Sequence, residues 1–96
     1  MNTTIKPSET KKLLGGQQRL YKFANGFGAS VVRHHGSYGH ESQLWELAIL
    51  HGPTQDILYK NRILPEGVKG WLDEDEVQEY LQRIKNLKAR QPALTV

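Results

Sequence analysis

Asn25-Gly26 constrains this chain more than any other pair of residues, because it separates two segments of strand-like composition, residues 18–24 and 27–34. A two-residue type I′ turn needs positive φ at both central positions, and Asn-Gly supplies it at the least steric cost. The pair predicts a hairpin in which Ala24 faces Phe27. Phe23 then falls opposite Gly28, Tyr21 opposite Ser30, Leu20 opposite Val31 and Arg19 opposite Val32. In that register the Phe23 ring lies over a glycine and covers backbone that the glycine leaves bare.

Residues 43–51 form the most apolar stretch. Trp45, Leu47 and Ile49 alternate with Leu44, Ala48 and Leu50, with Glu46 among them. A strand apolar on both sides is expected at the centre of a sheet, covered on both faces. A helix supplies one cover. The other is expected from the N-terminal arm, from long loop residues or from a second copy of the chain, so a homodimer or a protein partner is anticipated. Residues 56–63, DILYKNRI, read as a fourth strand with Ile57, Tyr59 and Ile63 on one side and Leu58, Lys60 and Arg62 on the other. Charges at outward positions suit an edge strand. Pro65, Gly67 and Gly70 then mark a connection out of the sheet.

The helix signal is the most complete. Asp73 can cap the first turn while Glu76 reaches back to close a capping box, and Leu72 with Val77 has the spacing of a hydrophobic staple. Val77, Tyr80, Leu81, Ile84 and Leu87 follow at the spacing of one helical face. The charge blocks have the same origin. Asp73, Glu74, Asp75, Glu76 and Glu79 lie at the positive end of the helix dipole, and Lys85, Lys88 and Arg90 lie at the negative end.

The expected fold class is therefore α+β, a four-stranded antiparallel β-meander with one C-terminal α-helix packed on one face. The expected core is Tyr21, Phe23, Val32, Trp45, Leu47, Ile49, Ile57, Val77, Leu81 and Ile84. Residues 18–90 make a single domain. Residues 1–17, polar and ending near Gly15-Gly16, read as a flexible arm, and residues 91–96 as a frayed tail.

A chain of 96 residues can bury a modest core unaided, and the absence of cysteine excludes disulfides and thiolate metal sites. No apolar run approaches the roughly 18 residues of a membrane span, and residues 1–12 lack a secretory signal's apolar segment, so a soluble intracellular protein is expected. The net charge of +3 is ordinary for such a domain. Lys11, Lys12, Arg19, Lys22, Lys60 and Arg62 are the basic residues available to a nucleic acid, but they lack the dense stripe with interleaved aromatics that such a ligand usually meets.

Among groups with chemistry, His34, His35, His40 and His51 have poor spacing for a metal. His34 and His35 point to opposite faces of a continuing strand, and His51 or Glu41 is needed to complete a ligand set. Neither a metal nor a cofactor is expected. Ser30, Ser37 and Ser42 have no acid placed to orient a base and no strand-turn-helix elbow, so the chain is expected not to be an enzyme. The loop Gly36-Ser37-Tyr38-Gly39 has an amphipathic tyrosine at its tip. A loop of this kind on a rigid sheet suits recognition, and Arg33, His35, Ser37, Tyr38 and His40 are the candidate partner-binding residues.

NGFGASVV, then GSYG, then LWELAIL, then the pattern V-x-G-W-L-x-x-x-E-V-x-x-x-L-x-x-I over residues 68–84 resembles a group of short bacteriophage and prophage proteins. Proteins of that group carry a segment similar to NGYGASVV, an SYG loop, a strand similar to LWELAVL and an acidic-capped helix. The resemblance covers residues 21–87. Phe27 stands where the group has tyrosine, and the N-terminal arm is longer. The group has no assigned activity, so the resemblance brings no catalytic residues. It implies an accessory protein in the host bacterial cytoplasm that binds a host protein or complex, as an inhibitor of a host enzyme or defence complex would. The alternative expectation is a nucleic-acid-binding accessory protein.

Overall fold

The computed structural model describes residues 4–13, 15–34, 43–59, 61, 63, 64 and 66–88. The elements in chain order are β1 (Glu9–Leu13), β2 (Gly16–Lys22), β3 (Phe27–Arg33), β4 (Trp45–His51), β5 (Asp56–Ile57), β6 (Val68–Leu72) and α1 (Glu74–Lys85). All the strands pair antiparallel in a single sheet, β1-β2-β3-β4 in sequence order. The far side of β4 is shared, with β5 against Leu50 and His51 and β6 against Trp45, Leu47 and Ala48. The class is α+β as expected, with six strands among the described residues in place of four.

The β2–β3 hairpin forms at Asn25-Gly26 but not with the two-residue turn. The Phe23 N–H donates to Phe27 O at 2.9 Å, and the Gly26 N–H donates back to Phe23 O at 3.2 Å. Ala24, Asn25 and Gly26 thus make a three-residue loop in which only Gly26 has positive φ, 89°. This is the β-turn-plus-left-handed-glycine solution. The extra loop residue moves every pair by one: Tyr21 faces Ala29, Leu20 faces Ser30, Arg19 faces Val31 and Lys22 faces Gly28. Val31, not Val32, therefore joins the core. Gly28 is needed for a different reason from the one expected. A Cβ there would collide with Gln55 Oε1 and Tyr21 O, so the Gln55 side chain, not Phe23, occupies that space. Gln55 is held in place by donating from Nε2 to Gly52 O at 2.9 Å and Gly26 O at 3.3 Å.

Two strands arise where none was expected. Glu9–Leu13, read as part of a flexible arm, pairs along its whole length with β2, from Glu9 opposite Leu20 to Leu13 opposite Gly16. Gly15, at φ 78°, lies in the turn between them. Val68–Leu72, read as a connection, pairs with β4 through a register shift opposite Trp45–Leu47. The strand expected over residues 56–63 is only the two residues of β5, and Ile57 is 40% exposed. Glycine punctuation was misleading in both segments. Gly15-Gly16 closes a hairpin, and Gly70 sits at a bulge.

Helix α1 follows its sequence signals closely. Asp73 Oδ1 accepts from the Glu76 N–H at 2.8 Å, and Glu76 Oε1 accepts from the Asp73 N–H at 3.1 Å, which completes the capping box. Val77, Leu81 and Ile84 are buried against one sheet face. Strand pairing lines that face in rows, Tyr21-Ala29-Ile49 and Arg19-Val31-Leu47, with Trp45 and Leu72 in the next row. Among the described N-terminal residues, Ile5 serves the helix side rather than the opposite face. Ile5 packs against the core, and its backbone N–H and C=O both pair with the Gln78 amide, at 2.8 and 3.0 Å.

Candidate functional site

The period of two along β2, β3 and β4 places Arg19, Arg33 and Trp45 on the helix-bearing side of the sheet. Trp45 is 1% exposed, and both guanidinium groups lie over its ring, Arg19 Cζ at 4.1 Å and Arg33 Cζ at 4.3 Å from the centroid. Sheltered cation–π contacts of this kind contribute about 1–2 kcal/mol each. They are also geometric, since a guanidinium held over an indole loses rotational freedom.

The two arginines differ at their outer edges. Arg19 makes a fork-to-fork pair with Glu74, Nη1 to Oε1 at 2.8 Å and Nη2 to Oε2 at 3.1 Å, tying β2 to the first turn of α1. The bonded carboxylate raises the Arg19 pKa above its ordinary value. Arg33 donates from Nη1 to Gln43 O at 3.1 Å, and no carboxylate among the described residues pairs with it. It borders an open depression of about 390 Å³ lined also by Gly15, Gly16, Gln17 and Gln43. Gly16 is essential to this shape, because a Cβ there would run into Arg33 O and the Arg33 carbonyl carbon.

Next to Arg19, the Tyr21 phenol is buried, and burial raises its pKa above the usual value. In the unfolded chain the phenol ionises first, so the folded state loses stability as pH rises past about 10. In an absorbance titration at 295 nm the Tyr21 phenol should ionise above the ordinary tyrosine range, and Tyr21→Phe should remove that late step. If Tyr21→Phe leaves the high-pH end of the titration unchanged, the phenol is not buried as described.

A second surface lies along the β5–β6 side. Trp71 is 59% exposed, Tyr59 63% and Ile57 40%. Trp71 stands at the register shift of β6, one residue before Leu72, the partner of Trp45, and its φ is 62°. A bulky residue in the left-handed region is an outlier that its surroundings must enforce.

Of the expected site residues, Arg33 lies over Trp45 beside the Gly16–Gln43 depression, whereas His35, Ser37, Tyr38 and His40 lie outside the described residues. Lys11, Lys12 and Lys22 are exposed on β1 and β2, with Lys11 3.8 Å from Glu9. Arg19, the remaining described member of that basic set, is committed to Glu74 and Trp45, and Lys60 and Arg62 lie outside the described residues. Sequence reasoning missed Trp45 as a ring shared by two cations, and Trp71 as an exposed one. Gln17-x-Arg19 in β2 facing Val31-x-Arg33 in β3 carried the first signal once the register was right. The second has none, because V-K-G-W-L reads equally well as a connection.

No group of three or more metal-ligating side chains occurs among the described residues, and none of the helices there is long and apolar enough to cross a membrane. Comparison with protein-family models, with curated proteins and with solved structures found no match.

Proposed function

We propose that this chain is a protein-binding module, an accessory protein of a phage or prophage that engages a host protein or complex in the bacterial cytoplasm and inhibits it. The observation that carries the reading is Trp71. An exposed tryptophan held at φ 62° on a sheet edge, with Tyr59 and Ile57 also exposed on the β5–β6 side, maintains both strain and apolar exposure that folding alone would discard. Tryptophan and tyrosine are the residues most often found at the energetic centre of protein interfaces. A nucleic-acid partner is the weaker reading, because Arg19 is bound internally.

The test uses tagged protein as bait in host lysate at moderate and high salt, with Trp71→Ala alongside. Retention of one protein complex at high salt by the parent but not by the variant is the expected result. Retention of nucleic acid that disappears with salt would overturn it, since phosphate-driven binding weakens steeply as salt rises.

The strain yields a separate stability prediction. Trp71→Gly should be more stable than Trp71→Ala by about 1 kcal/mol, because both remove the ring but only glycine relieves the left-handed backbone. Urea midpoints of the two variants give the difference. Equal midpoints would mean that the bulge imposes no strain at this position.

A further inference from the structure

We infer that Arg33 is a receptor for a single carboxylate, supplied by an acidic side chain of the partner protein. The argument comes from the paired arginines on Trp45. Arg19 shows what a guanidinium on this ring does when an acid is within reach, binding both oxygens of Glu74 at 2.8 and 3.1 Å. Arg33 has the same support, 4.3 Å from the same ring, and among the described residues it meets the backbone acceptor Gln43 O and no carboxylate. It borders an open depression of about 390 Å³, and the Gln17 and Gln43 side chains in the lining bring further amide donors. Among the described residues of that lining, Arg33 is the only charged one. One positive charge with amide neighbours matches a monoanion, whereas a phosphate dianion would be left half neutralised. A planar fork fixed on an indole also favours a flat two-oxygen ligand, because little freedom is lost on binding.

The inference rests on the binding-module reading for the source of the carboxylate, but its test does not. The full chain is titrated at low salt with acetylated, amidated Gly-Glu-Gly, with the Gly-Gln-Gly analogue and with inorganic phosphate, while the Arg33 Nε–H and Trp45 indole resonances are followed. The glutamate peptide is expected to move Arg33 saturably and the glutamine peptide to leave it in place. Arg33→Gln should weaken the remaining response about tenfold or more, and Lys22→Gln, which removes the same charge at the far end of β2, should leave it unchanged. If Arg33→Gln fails to fold, the Nε–H response of the parent protein decides.

The assignment is overturned if the glutamate peptide produces no saturable shift at Arg33, or if phosphate binds there more tightly. It is also overturned if Arg33→Gln responds as the parent does. These outcomes are separable from lysate capture, because a protein retained equally by parent and Arg33→Gln would sink the receptor role and leave the binding module standing.

Discussion

Trp45→Ala is expected to lower the unfolding free energy by about 3–5 kcal/mol, the range for truncating a large buried aromatic. Trp45 is fully buried, and its ring supports Arg19 and Arg33 together. Removing it opens a cavity between β4 and α1, and it frees the guanidinium that ties β2 to Glu74. A domain of this size has about 5–15 kcal/mol in total, so the variant should sit near the edge of folding. Trp45→Phe separates the two contributions, because it retains most of the apolar contact but presents a weaker ring to the cations. Urea unfolding followed by circular dichroism gives all three values. A loss below about 1.5 kcal/mol for Trp45→Ala would mean that the site collapses freely and that the double stack contributes little.

Asn25→Asp should cost about 1–4 kcal/mol, although Asp-Gly serves a hairpin turn nearly as well as Asn-Gly. The Asn25 side chain does more than turn the chain. Its Nδ2 faces three carbonyls at the end of α1, Ile84 O at 3.0 Å, Lys85 O at 3.1 Å and Leu87 O at 2.8 Å, while Oδ1 accepts from the Phe27 N–H at 3.0 Å. A carboxylate cannot donate to those carbonyls. Their lost partners cost about 1–3 kcal/mol, and a negative charge at the negative end of a helix adds up to about 1 kcal/mol. The sign with pH follows. Proximity to the carbonyls raises the folded-state pKa of the new carboxyl, so the penalty is present at neutral pH and shrinks as pH falls through that pKa, when the group becomes uncharged and able to donate. Chemical unfolding at pH 7 and pH 4 tests both points. A loss under about 0.5 kcal/mol at pH 7 would show that the turn residue and the helix end are uncoupled.

Asn25 also explains how a well-marked hairpin was read one residue out of register. The local preference favours the two-residue turn, but that turn would bring Ser30 to face Tyr21 in place of Ala29. The longer loop aims Asn25 at the end of α1 and puts Ala29 and Val31, both fully buried, under the helix. Residues far apart in the chain decided between turns that nearest neighbours could not rank.

The sequence by itself determined whatever depends on neighbouring residues. Asp73 and Glu76, three positions apart on one backbone, specify where the helix begins, and the spacing of Val77, Leu81 and Ile84 specifies which side is buried. The alternation of Trp45, Leu47 and Ile49 likewise specifies a central strand with one face under the helix. Tertiary structure alone decided the rest, because the energies involved arise between segments. Glu9–Leu13 is polar and becomes a strand only because β2 offers it an edge. Val68–Leu72 becomes one because β5 leaves the Trp45–Ala48 half of β4 unpaired. Arg19 and Arg33 lie fourteen positions apart, and only strand pairing places both guanidinium groups on one indole.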